Sequence, residues 1–458
     1  MIQRVSKGSA DDSRLDAVRE RVEQFSYAAA RRALLAWFKS HGRRFPWRDD
    51  PSPYRVWISE IMLQQTTTQT VSGYFERFLA RFPDPSALAA ASEEEVLALW
   101  EGLGYYRRAR ALREAAIVMT RRFDGRVPDR YDNVLSLPGV GRYCAGAILS
   151  FGYDKRAPIL EANTTRLHAR LVALGVEPTT SAAQKLLWQT AENWLPGETP
   201  RRKKGVYREI NGALTDLGRL VCQPTAPKCD ECPLARFCAA YDLGVQDALP
   251  VQKEKQAPIQ RTDVAFWISR GDLKTSRVPS LPGAPESPTD VLIMRRPPWA
   301  LWAGLWDFPR LEVVDPRFQQ KEDWRFDPEL ADRLSLFLET EVGAPADSYR
   351  PGAALKVFRH SVTRYRVTLS LCRLENADPA LAPSAAPSLF DVLPQPTPPL
   401  ASPPERPVPS PDAERLKNKP LALEWLWVPI SELKNRPLSS TGRKIARFIE
   451  NWRYEGRR

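Results

Sequence analysis

The chain has 458 residues, 43% of them hydrophobic and 27% charged, and a formal net charge of +12. That length exceeds one compact core and points to two or three domains, and no run of about eighteen apolar residues offers a membrane-spanning helix. The positive balance favours a polyanionic partner, because each Lys or Arg that meets a phosphate releases a condensed counterion.

Residues 1–24 mix Asp11, Asp12 and Asp16 with basic side chains and lack the apolar core of a signal peptide. They are expected to be a flexible N-terminus on a soluble, cytoplasmic protein whose thiols stay reduced. From 25 to 245 the text reads as helical, with apolar positions at helical spacing through 27–38, 56–66 and 93–104. Glu60 stands on the otherwise apolar stretch from Val56 to Leu63. Burial there would raise its pKa and keep it protonated near neutral pH. Leu137-Pro138-Gly139-Val140-Gly141 lies between two helical segments. Gly139 and Gly141 allow a tight turn and a close backbone approach, and the following helix offers unpaired N–H groups. The pattern fits a phosphate clamp, which positions a duplex without reading its sequence, or a plain helix–helix turn.

Cys222, Cys229, Cys232 and Cys238 follow one another with six, two and five residues between them. Four soft thiolates on one short loop can enclose an iron–sulfur cluster or a structural zinc. A zinc knuckle more often uses two separated C-x-x-C pairs, and only Cys229 and Cys232 form one. A disulfide knot is the weaker alternative. Cys144 and Cys372 read as ordinary buried thiols.

Residues 246–262, with Pro250 and Pro258, read as a linker. The texture then changes to short β-rich runs at 264–269, 290–296, 355–360 and 365–374, with a helical stretch at 327–343, so 263–458 is expected to be an α/β domain. Between 374 and 420 stand thirteen of the 42 prolines, a composition expected of a disordered insertion.

The strings at Pro46–Arg48 (PWR), Ser59–Thr66 (SEIMLQQT), Trp100–Arg110 (WEGLGYYRRAR), Leu137–Ile148 (LPGVGRYCAGAI) and Asn211–Gly218 (NGALTDLG), together with the cysteine spacing, resemble the MutY-type adenine DNA glycosylases of the endonuclease III superfamily. The match runs from about residue 30 to 250. The resemblance implies an all-α helix-hairpin-helix domain with a 4Fe–4S cluster on Cys222, Cys229, Cys232 and Cys238. It also implies a monomer acting on duplex DNA that holds adenine opposite 8-oxoguanine or guanine, in the cytoplasm on the nucleoid if the source is a prokaryote. No motif implies a protein partner.

By the same resemblance Glu60 protonates adenine at N7. The family's second carboxylate is an Asp in a V-D-G-N context, whereas this chain reads Leu160-Glu161-Ala162-Asn163. Glu161 keeps the charge one methylene further from the backbone, and Asn163 keeps its place. Tyr143 stands where endonuclease III-type enzymes carry the Schiff-base Lys. A phenol forms no imine, so a monofunctional glycosylase is expected, with the hydroxyl bonded to a catalytic carboxylate. Gln65 corresponds to the wedge in the duplex and Tyr105 to the residue beside the lesion guanine; Trp47, Arg48, Leu63 and Asp216 correspond to the adenine pocket.

The C-terminal part resembles the Nudix-like lesion-recognition domain of that family through Gly304–Pro309 (GLWDFP) and Pro437–Ile445 (PLSSTGRKI). Residues 338–343 keep only part of the Mg²⁺-binding Nudix pattern, so recognition without hydrolysis is expected. The family's F-S-H or F-T-H loop is replaced by Val362, Thr363 and Arg364. Two other readings remain: a glycosylase for thymine mismatches or damaged pyrimidines, and a lesion-binding protein disabled by the change to Glu161.

Overall fold

The computed structural model describes residues 7–199, 203–253, 257–273, 276–297, 300, 302–318, 323–345, 349–362, 364–376 and 424–455. The chain divides into two compact units, Met1–Gln256 and Ala257–Arg458.

The first unit is helical: α1 (Lys7–Gln24), α2 (Tyr27–His41), α3 (Pro46–Asp49), α4 (Pro53–Leu63), α5 (Thr68–Arg81), α6 (Pro85–Ala90), α7 (Glu93–Trp100), α8 (Arg107–Arg122), α9 (Tyr131–Leu135), α10 (Arg142–Ala147), α11 (Ala162–Leu171), α12 (Ser181–Asn193), α13 (Val206–Leu220) and α14 (Ala239–Asp242). A π-helical turn, Ile148–Gly152, extends α10. Local sequence starts many of these helices. Ser52, Thr67, Asp84, Ser92 and Thr180 each accept the backbone N–H three residues ahead, which satisfies a donor the helix itself cannot. Ser92 and Glu95 complete a reciprocal capping box.

α4 is buried on nearly every side, from Tyr54 to Met62 with only Arg55 partly exposed. It packs on α5, α8, α10 and the π-turn, which carries Glu60 into the interior. One core joins α2, α11 and α13 to the cysteine loop through Leu34, Leu167, Leu171, Ile210, Leu217 and Leu234.

Residues 7–24 of the segment expected to be a flexible N-terminus instead form α1. Leu15, Val18 and Val22 are buried with Leu186, Leu187 and Trp188 of α12. Three apolar residues in a charge-dense run make a narrow stripe, enough to dock a helix yet thin as a sequence signal.

The second unit is α/β, as expected. β1 (Ile259–Trp267), β4 (Arg310–Val313), β5 (Tyr349–Val362) and β6 (Tyr365–Asn376) form a sheet of order β4-β1-β6-β5; β2 (Val291–Arg295), β3 (Trp306–Asp307) and β7 (Trp425–Val428) form another of order β3-β2-β7. β1 pairs parallel with β6, and the other pairings are antiparallel. Val264 and Phe266 face one core with α15 (Pro328–Phe337); Ala265 and Trp267 face a second core with α16 (Ser440–Glu455). Both faces of β1 are covered, hence its continuous apolar run. β1 begins inside the segment read as a linker, and β6 extends to Asn376, past the expected start of the Pro-rich insertion. Residues 377–420 of that insertion lie outside the described residues. Among the described residues no helix is long and apolar enough to cross a membrane.

Candidate active site

Glu60 is 7% exposed, and its Oε2 accepts a 2.7 Å hydrogen bond from the Tyr143 hydroxyl. Burial pushes the Glu60 carboxyl up to about 7; the Tyr143 bond and the Arg48 charge pull it down, and Glu161 adds to the rise. Burial first, and then the two carboxylates, raise the Tyr143 phenol, so it stays a donor.

Glu161 caps α11. Its carboxylate accepts from the backbone N–H of Asn163 (2.8 Å) and Thr164 (2.9 Å) and from Asn163 Nδ2 (3.0 Å). The Thr164 hydroxyl in turn accepts from the Glu161 N–H at 2.9 Å. Glu is a rare cap, and its extra methylene is taken up by this reciprocal box. Burial raises the Glu161 carboxyl, while these donors and Arg166 oppose the rise. The two carboxyls therefore differ: Glu60 has a single phenol donor, Glu161 three N–H donors at a helix start.

Arg48 makes a two-pronged ion pair with Asp216, 2.8 and 3.0 Å, and the Arg43 N–H also reaches Asp216 at 3.0 Å. Trp47 is buried, stacked on Phe45 at 5.0 Å and edge-on to Phe75. Leu63 ends α4 half-buried. Gln65 and Tyr105 are both exposed, and both adopt left-handed backbone angles, φ 57° and 48°, a conformation that non-glycine residues rarely hold without cause. Gly139 has φ 75°, and a Cβ there would fall 2.7 Å from that of Ala111. Gly141 is exposed at the start of α10, with nothing within 4 Å of an added Cβ, leaving its backbone open to a ligand.

Cys222, two residues past α13, is buried in the same core that Cys232 and Cys238 border, and Cys229 opens a short helical turn. Burial pushes the Cys232 thiol up to about 12, with Cys222, Cys238 and Cys229 adding to the shift. Arg170, 2% exposed, donates to Cys222 Sγ at 3.3 Å. Arg166 donates to the Cys222 carbonyl at 2.7 Å and to Asn163 Oδ1 at 3.0 Å. Soft thiols on one loop, with the buried Arg170 cation donating to one of them, suit an inorganic group that takes them as thiolates. Among the described residues no three His, Cys, Asp or Glu side chains converge on a single metal-ion position.

In the second unit Val362 ends β5 and Arg364 stands in the turn just before β6; the Arg364 guanidinium lies 5.4 Å over the Tyr365 ring. Thr363 lies outside the described residues. His360 packs by Trp302 at 5.5 Å, and burial, helped by Arg310 and Lys444, pushes it down to about 4. Glu341 accepts from Trp425 Nε1 at 2.8 Å.

Sequence reasoning assigned no role to Arg108, Arg166 or Arg170. A signal existed for Arg108: it occupies the buried stripe of α8 with Leu112, Ala115 and Met119, a place where charge is costly.

Residues 58–193 match the HhH-GPD superfamily base excision DNA repair protein family. Such helix-hairpin-helix repair proteins are the class that this helical unit and its glycine hairpin define. The chain is 35% identical over 329 residues to the adenine DNA glycosylase of Mus musculus, an alignment covering 64% of this chain and 62% of that one. It is 37% identical over 250 residues to that of Buchnera aphidicola subsp. Schizaphis graminum, covering 53% of this chain and 70% of the relative. The match to the mouse protein thus takes in less than two thirds of its length. Among solved structures, a thermostable thymine-DNA glycosylase is similar, with 28% identity, a TM-score of 0.42, and coverage of 47% of this chain and 97% of that one. The chain belongs to the adenine DNA glycosylase family.

Proposed function

We propose that this chain hydrolyses the N-glycosidic bond of adenine mispaired with 8-oxoguanine or guanine in duplex DNA, leaving an abasic site and an uncut strand. The observation that carries the reading is the pair of unlike carboxyls: Glu60, buried, near 7 and held by Tyr143, and Glu161, held by three N–H donors. Glu60 gives its proton to the N7 of a flipped adenine, which makes the base a neutral leaving group. The Glu161 carboxylate, fixed by its cap, faces the positive charge that grows on the sugar, and Asn163 holds it there. Water then adds to the sugar, and the proton it loses returns to the Glu60 carboxylate. Tyr143 orients Glu60 and offers no amine for strand cleavage.

Trp47, Arg48, Leu63 and Asp216 shape the adenine site in this reading, Gln65 and Tyr105 enter the duplex, and the hairpin at Gly139 and Gly141 grips a backbone phosphate. Cys222, Cys229, Cys232 and Cys238 hold a 4Fe–4S cluster, which when bound braces the loop and supplies iron charge to four thiolates. Arg364, with Thr363, contacts the lesion strand. Glu341 is engaged by Trp425, which favours recognition over Mg²⁺-dependent hydrolysis. Its place in a prokaryotic cell would be the cytoplasmic nucleoid, where the substrate is.

The test is single-turnover base release by cluster-loaded protein on duplexes with adenine opposite 8-oxoguanine, guanine or thymine, and thymine opposite guanine, with and without alkali. Alkali-dependent breaks at adenine opposite the two guanine forms are expected. Breaks at thymine, or tight binding with no breaks, would overturn the proposal.

A further inference from the structure

Arg108 is 8% exposed at the start of α8, and none of its six side-chain hydrogen bonds goes to a carboxylate. It donates to the carbonyls of Ile61 (2.8 Å), Met62 (2.8 Å) and Gln64 (2.5 Å), to the Thr66 hydroxyl (3.1 Å), and to the carbonyls of Leu103 and Gly104 (both 3.1 Å). Its guanidinium lies 5.3 Å from the Trp100 ring and 5.5 Å from the Tyr105 ring. Burial pulls its pKa down to about 10, still cationic at neutral pH.

A buried charge with no ionic partner is costly, and here carbonyl dipoles and two ring faces offset the cost. A chain that needed merely to end α4 would do so with Gly or Asn at no such expense. The acceptors fall into two groups: 61–66 brackets Gln65, and 103–104 precedes Tyr105. These two bracketed residues are exposed and left-handed. One guanidinium therefore ties together two strained turns that each present a side chain outward.

We infer that Arg108 is a positioning residue that fixes the spacing of Gln65 and Tyr105, so that the two enter the duplex as one rigid fork. The inference rests on the glycosylase reading for what the fork does. The planar guanidinium reaches both turns at once, whereas an ammonium offers three donors from one point. Loss of the tie lets each prong relax separately, and a displacement of about 1 Å in a reactive assembly costs on the order of a hundredfold.

The experiment uses the full, cluster-loaded chain with Arg108→Met and Arg108→Lys. Duplex opening is read by 2-aminopurine fluorescence next to the target adenine, which needs no bond cleavage; adenine release is measured on a mismatched duplex and on an unpaired, bulged adenine. For Arg108→Met we expect the opening signal to vanish and release from the mismatch to slow about a hundredfold, while release from the bulge falls less than about threefold. Arg108→Lys falls between, and keeps the test open if the Met variant does not fold. Adding Gln65→Ala to Arg108→Met is expected to slow release from the mismatch no further, because both act on the same fork. Equal slowing on the two substrates, an unchanged opening signal, or full additivity with Gln65→Ala would reduce Arg108 to a structural role and overturn the inference. Wild-type protein that opens the duplex and releases no adenine would refute the glycosylase reading while the fork remained measurable.

Discussion

Glu60 sets the pH response of the proposed chemistry. Its carboxyl is raised to about 7, so the proton-bearing form dominates below that pH and is lost above it. Single-turnover adenine release is expected to fall about tenfold per pH unit above 7. The Tyr143 bond lowers the Glu60 pKa, so Tyr143→Phe should move that limb to higher pH while cutting the plateau about tenfold through the lost bond. A limb that stays in place would mean that Glu60 is not the titrating acid. Stability follows the same sign: a carboxyl raised on folding contributes fully below its ordinary value and loses that contribution as pH climbs through about 7. Glu60→Gln should therefore slow release on the order of a thousandfold, yet melt no lower than wild type at pH 8.

Between residues and helices, α11 shows what the sequence made legible and what it hid. The carboxylate at 161 was readable, and so was its departure from the family's Asp. The cap that accommodates the longer side chain was not, because Glu seldom caps helices and the Thr164 partner signals nothing alone. The helical spacing through 27–38, 56–66 and 93–104 made α2, α4 and α7 legible. α1 was missed because Leu15, Val18 and Val22 find their partner on α12, about 170 residues away, and no local signal reports a distant contact. The place of Arg108 in the buried stripe of α8 was legible, but its role was not: its six acceptors come from two turns, and only their meeting gives it one. The cap predicts an ordered series at 161. Glu161→Asp, which keeps charge and capping ability, should release adenine within about tenfold of wild type. Glu161→Gln, which keeps size and loses charge, should slow release about a hundredfold or more and lower stability by about 1 kcal/mol. Single-turnover rates and urea melts check both, and wild-type cleavage by Glu161→Gln would remove Glu161 from the mechanism.

At the scale of the molecule, charge and core make separate predictions. Arg43, Arg48 and Arg219 lie 5.1, 5.2 and 5.9 Å from the Phe45 ring centre, and the single carboxylate of Asp216 pairs with Arg48 and also acts on Arg219, one negative charge against three positive ones. The surplus suits a DNA phosphate, so Arg219→Ala should weaken binding to matched and mismatched duplexes alike and reduce the salt slope of log K by about one; an unchanged slope would place Arg219 off the DNA. The cysteine loop makes the last prediction, because its thiols border a core that α2, α11 and α13 share, while the sheets of the second unit pack around cores of their own. A group that braces the loop stabilises only the core that the loop belongs to. Cluster-loaded protein should therefore melt in two transitions, and oxidative loss of the cluster, followed by its visible absorbance, should lower the one that reports residues 1–256 and leave the other in place. Tryptophan signals can separate them, Trp194 lying in the first core and Trp324 in the second. A single transition that drops as a whole would mean that the two units unfold together, and two unmoved transitions would mean that the four cysteines brace nothing.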